Sequence, residues 1–182
     1  MMRARTARML ALASTVAIGA TACDVGTTTL PPETALLSVA PEGGSLNVAL
    51  DAPVVVSFNG PMHDHAMDYA AVHEGDVTGP PVEGTWVMEE EGRVMRFTPR
   101  HGWNAGTEYT IHLGGGMADA EGHMVDFESH GSGMGGMWAD GDMMSGGMHG
   151  GMNGGQSDHM GSGWDHPENG SHGMVFTFTT VP

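Results

Sequence analysis

The chain has 182 residues, a formal charge of −16 and no lysine, with 30 Gly, 17 Met, 11 His and a single Cys. That length supports one modest hydrophobic core, and two full domains are excluded. The acidity repels phosphate backbones, which excludes nucleic acid as a partner and favours cations, while one cysteine excludes an intrachain disulfide framework.

Residues 1–22 carry Arg3, Arg5 and Arg8, then the apolar run Met9 to Ala20 and the small residues Ala20, Thr21 and Ala22. This is the layout of an export signal, and its apolar run is too short for the ~20 residues of a spanning helix. Ala20-Thr21-Ala22-Cys23 resembles a bacterial lipobox, and the resemblance implies that Cys23 carries a lipid and anchors the exported chain to a membrane, facing the periplasm or the cell exterior. Residues 23–34 lack an apolar period and read as a tether.

From Ala35 onward short β-type runs are separated by Gly, Pro, Asn and Asp, with no helical stripe. The expected strands are Leu36 to Val39, Pro53 to Phe58, Val82 to Met88, Val94 to Thr98, Thr107 to Leu113 and Met174 to Thr180. The unbroken apolar run of the second places it at the centre of a sheet. Glu89 to Gly92 reads as a hairpin turn. In the last strand the alternation sends Phe176 and Phe178 one way, with Val175 and the threonines on the other face. The fold class is therefore all-β, a sandwich of about seven strands over residues 35–182, interrupted by an insertion at 128–173.

Ala40-Pro41-Glu42-Gly43-Gly44, Val56 to Met62, Phe97-Thr98-Pro99, Trp103 to Thr110, the Asp119-Ala120-Glu121-Gly122 turn and Phe176 to Thr180 together resemble the bacterial Ig-like domains of the surface-layer-protein type (SbsA-like). That family shares its sandwich plan with the periplasmic copper-resistance proteins of the CopC type. The resemblance covers residues 35–127 and 173–181 and implies an Ig-like β-sandwich. In the copper-resistance sandwich an Asp and a His hold copper near the turn occupied here by Asp119 and His123, whereas the amino-terminal histidine ligand of those proteins has no counterpart beside a lipidated Cys23.

Where the family passes quickly from the Asp119 turn to its final strand, this chain inserts residues 128–173, which hold half of all its glycines and almost no Val, Ile or Leu. Such a segment cannot offset an ordering entropy of about 1–2 kcal/mol per residue, so disorder without a ligand is expected. It carries Met134, Met137, Met143, Met144, Met148, Met152 and Met160 with His130, His149, His159, His166 and His172. Thioethers are soft donors that suit Cu(I) or Ag(I), and imidazole adds affinity for Cu(II).

A second cluster, Met62-His63-Asp64-His65-Ala66-Met67-Asp68, follows the second strand, with His73 further on, and His123 and Met124 follow the Asp119 turn. His63 and Met67 would share a face in a helical turn, His63 and His65 in an extended one. Met62, Met88 and Met95 read as packing, and His101 and His112 as isolated surface residues. The expected function is non-enzymatic: a cell-envelope lipoprotein binding copper or silver, in metal tolerance, storage or delivery, with a copper-transport or copper-chaperone partner. The alternative is a structural or adhesive Ig-like surface module with a solvated loop. No nucleophile elbow, phosphate loop or cysteine nucleophile supports an enzyme.

Overall fold

The computed structural model describes residues 34–125, 127, 131–138 and 173–182. Its strands are β1 (Leu36–Ala40), β2 (Ser45–Val48), β3 (Val54–Phe58), β4 (Ala70–Glu74), β5 (Gly84–Glu89), β6 (Val94–Pro99), β7 (Glu108–Leu113), β8 (Met137–Trp138) and β9 (Met174–Thr180). They form two sheets, one in the order β1-β3-β6-β5 and one in the order β2-β9-β7-β4, with β8 added on β9.

The first sheet is antiparallel throughout. β3 lies at its centre, as its apolar run implies, and sends Val54, Val56 and Phe58 into the core while Val55 and Ser57 stay half-buried on the outer side. The turn joining β5 to β6 falls at Glu89–Gly92, where Glu90 and Glu91 both adopt positive φ, the left-handed twist that a tight hairpin needs. In the second sheet β7 pairs antiparallel with β4 and β9, whereas β2 runs parallel to β9.

The inner faces meet over Leu36, Val54, Val56, Met95, Phe97, Ile111, Leu113, Met117, Met174, Phe176 and Phe178. At one end Trp103 is the hub of an aromatic cluster, with ring centroids 4.7 Å from Tyr109, 5.3 Å from Phe178 and 6.0 Å from Phe97. Its indole N–H donates to the Ala52 carbonyl at 2.7 Å, which satisfies the one polar atom that the ring buries. In β9 the alternation holds for Thr177 and Thr179, but Thr180 is buried on the phenylalanine side. Its hydroxyl donates to Asn104 O at 2.6 Å and accepts from Thr107 N at 3.0 Å, so burial there leaves no orphan hydroxyl.

The structure corrects the expectation of disorder for residues 131–138. Gly131–Met134 forms a 3-10 turn, and β8 pairs antiparallel with β9 through Met137↔Val175 and Trp138↔Met174. The physical reason is the β9 edge: β2 occupies only its carboxyl-terminal half, at Phe178 and Thr180, and β8 pairs at its amino-terminal end, with Met174 and Val175. The approach is close. Gly43 N donates to Met134 O at 3.0 Å, and a Cβ on Gly43 would fall on the Gly135 carbonyl. The remainder of the 128–173 insertion, like the signal and most of the tether, lies outside the described residues.

Candidate metal site

The segment between β3 and β4 carries the His63 cluster. Asp64–Tyr69 is a 3-10 turn, neither an α-helical turn nor an extended run, and His63 is its N-cap with extended φ and ψ of −66° and 146°. His63 Nδ1 accepts from His65 N at 3.2 Å, and the two rings stack with centroids 5.3 Å apart and planes 17° from parallel. His63 and His65 thus form the pair, while Met67 is half-buried against the core. His65 Nδ1 lies 2.9 Å from Asp68 Oδ2, both side chains being exposed. A carboxylate only accepts, so Nδ1 donates in this contact, and Nε2 is the nitrogen that can meet a cation when the ring is neutral. The lone pair of His63 Nδ1 is engaged by the long cap bond, which a cation could displace.

This turn is tied to the Asp119–His123 turn. Met62 bridges to Asp119, His63 N donates to Ala118 O at 3.1 Å, and Ala120 N donates to Pro61 O at 3.0 Å. Asp119 is buried and organises the second turn: Oδ1 accepts from Glu121 N at 3.0 Å and His123 N at 2.8 Å, and Oδ2 accepts from Thr34 Oγ1 at 3.1 Å. Burial pushes its carboxyl up, but the hydrogen bonds from the His123 amide, Thr34 and the His123 ring outweigh that and hold it below the ordinary carboxylate range. The His123 ring, exposed, sits with Nδ1 3.4 Å from Asp119 Oδ2. His63, His65 and His123 are therefore carried by two turns bonded side by side. Among the described residues no group of three or more His, Cys, Asp or Glu side chains converges to hold a metal ion.

Of the other proposed donors, Met134 is half-buried against the core and Met137 stands half-exposed on β8. Met143, Met144, Met148, His149, Met152, His159, Met160, His166 and His172 lie outside the described residues, as does Cys23, the expected lipidation site. Met62 and Met95 are buried in the core and Met88 packs against it, as read from the sequence. His112 is corrected: it is fully buried, because the outer face of its sheet is covered at that point, and its ring lies beside that of His73. The alternation of β7 told which face His112 takes, but β4, with its two alanines, gave too weak an apolar signal to reveal the neighbour.

Two face-packed sheets with a Trp-centred core and polar turns at the edge define an immunoglobulin-like β-sandwich. Residues 28–130 match the bacterial Ig-like domain, and the chain belongs to that family. No curated protein matches the sequence. Among solved structures the chain is similar to L,D-transpeptidase 1 of Mycobacterium tuberculosis, at 22% identity over 45% of this chain and 36% of that one, with a TM-score of 0.37. It is similar also to an L,D-transpeptidase from Mycobacterium smegmatis, at 23% identity over 52% of this chain and 39% of that one, TM-score 0.36. The S-layer protein rSbsC(31-844) matches at 14% identity over 53% of this chain and 13% of that one, TM-score 0.37. The alignments thus span little more than a third of the transpeptidases' length.

Proposed function

We propose that the chain is an exported cell-envelope lipoprotein, anchored through Cys23, that binds copper or silver ions through Met and His side chains in metal tolerance, storage or delivery. It acts by binding, not by catalysis, and hands its ion to a copper-transport or copper-chaperone partner. The observation that carries the reading is the exposed, stacked His63–His65 pair on a turn bonded to the turn that presents His123. Two imidazoles on one short turn suit Cu(II), and the thioethers of Met134, Met137, Met143, Met144, Met148, Met152 and Met160 suit Cu(I) or Ag(I). The net charge of −16 draws cations of either kind. Membership of a bacterial Ig-like family agrees with an exported or surface protein.

The same membership favours a second reading, a structural or adhesive surface module whose Met and His residues are solvated. Titration of the full chain with Cu(II), followed by electron paramagnetic resonance, separates the two. The metal-binding reading expects a nitrogen-coordinated signal that loses one equivalent in the double variant His63→Gln, His65→Gln. A parent chain that takes up no Cu(II) contradicts it.

A further inference from the structure

Met134 and Met137 are separated by two glycines, yet the fold sends their thioethers to opposite sides of the second sheet. Met134 ends the 3-10 turn and packs, half-buried, against the core. Met137 opens β8 and pairs with Val175, so these two side chains share a face. That face is the outer one, because Phe176 and Phe178 carry the inner face of β9 and alternation turns Val175 away from it. Met137 accordingly keeps half of its surface in solvent. An ion held by two sulfurs draws them within about 5 Å of each other, at metal–sulfur bonds of about 2.3 Å. With β8 docked, the sheet edge lies between them. The docking itself is slight: β8 covers two residues of β9, and the approach adds the bond from Gly43 N to Met134 O at 3.0 Å. Its tightest contact is backbone on backbone, since a Cβ on Gly43 would fall on the Gly135 carbonyl.

We propose that docking of β8 and capture of a soft ion by Met134 and Met137 exclude each other, so that Cu(I) or Ag(I) undocks residues 134–138 from β9, a regulation that rests on the soft-metal reading above. A ligand shifts a two-state equilibrium only by binding one state better. The docked state offers one half-buried sulfur and one exposed sulfur on separate faces, whereas the undocked Met134-Gly135-Gly136-Met137 segment is free to fold both around one ion. Undocking takes β8 away from the backbone of Val175, which lies on the same edge of β9 as Thr177 O, the acceptor of Gly44 N at 2.7 Å. β7 keeps the opposite edge from Met174 to Thr179, so the sheet holds together. The ion thus sets the state of the β9 edge, and the sheet sets the affinity of the methionine pair. That coupling is reciprocal, so a change that undocks β8 tightens the pair.

The test uses the full chain with carbon-13 methionine methyl groups, titrated with silver nitrate, and Met134→Leu and Met137→Leu assign the two methyls. Amide exchange at Val175 reports docking, and exchange at Phe176, whose amide points to β7, is the internal reference. Ag(I) is expected to shift both methyls together and to quicken exchange at Val175 roughly tenfold or more while Phe176 holds. Met134→Leu keeps the packing and removes the sulfur, so Val175 should then stay slow with Ag(I) present. Gly43→Ala leaves the donor segment intact and blocks docking, so Val175 should exchange fast without metal, and Ag(I) affinity at the two methyls should rise by the factor of protection lost. Should Gly43→Ala not fold, or keep Val175 slow, Gly135→Val takes its place. Ag(I) bound at both methyls with Val175 still slow, Ag(I) bound with both methyls unmoved, or unchanged or weaker binding at the pair in the undocked variant overturns the coupling alone. No Ag(I) bound anywhere overturns it together with the soft-metal reading.

Discussion

Replacing Asp119 by Ala removes the acceptor that organises the His123 turn and pins it to Thr34. The carboxylate takes amide bonds from Glu121 and His123 and a hydroxyl bond from Thr34, at 2.8 to 3.1 Å, with only 5% of its side chain exposed. Hydrogen bonds to a buried charge contribute about 1.5–3 kcal/mol each, but the two amides lie near solvent and recover most of their loss from water. The net cost is about 2–4 kcal/mol at neutral pH, a fall of about 10 °C in Tm for a domain of this size. Because the folded carboxyl titrates below its ordinary value, its stabilisation is fully present above the unfolded-state pKa near ~3.9 and is lost as pH falls through the lower folded value. Thermal unfolding by circular dichroism at pH 7 and again below pH 3 should therefore show a gap between parent and variant that narrows in acid. Equal Tm values at pH 7, or a gap as wide in acid as at neutrality, would refute the reasoning.

Trp103→Phe keeps an aromatic ring among Phe97, Tyr109 and Phe178 but deletes the indole N–H bond to Ala52 and some ring volume, and should cost about 1–3 kcal/mol by chemical denaturation. Gly135→Val puts a branched side chain against the Gly43 backbone at a residue with φ of 76°, so β8 should undock. Hydrogen exchange should then quicken at Val175, whose amide points to the β8 edge, while Met174, Phe176 and Phe178, whose amides point to β7, stay protected. Cys23→Ser should release the chain from the membrane fraction or block its processing, and unchanged partition on fractionation would remove the lipid anchor from the account.

The strands legible in the sequence are those whose alternation or apolar run was strong: β1, β3, β5, β6, β7 and β9 all fall within a few residues of the expected spans. β2 and β4 were hidden for different reasons. β2 leaves Leu46 largely exposed, bends at Asn47 with positive φ and is held by parallel pairing to β9, more than a hundred residues away in sequence. β4 opens on two alanines and places His73 where an apolar residue would have marked a covered face. β8 was hidden because Met137 and Trp138 sit among glycines, and only the half of β9 left beside β2 makes a strand of them. At the candidate site, the spacing of His63 and His65 was visible, but their pairing depends on the 3-10 turn and on the Met62 bridge to Asp119, which are tertiary facts. The His73–His112 pair could not be read at all without the register between β4 and β7.

The central claim is that this Ig-like chain binds a soft metal through its thioethers. The most direct measurement is a Cu(I) competition titration against a chromophoric chelator under reducing, oxygen-free conditions, run on the parent chain and on a variant with Met134, Met137, Met144, Met148 and Met152 all replaced by Leu. The substitution keeps apolar bulk and removes the sulfur, so the account expects Cu(I) affinity to fall at least tenfold while Zn(II) binding, which draws on imidazole, changes little. Equal Cu(I) affinity in the two chains would contradict it and leave the structural surface module as the better account.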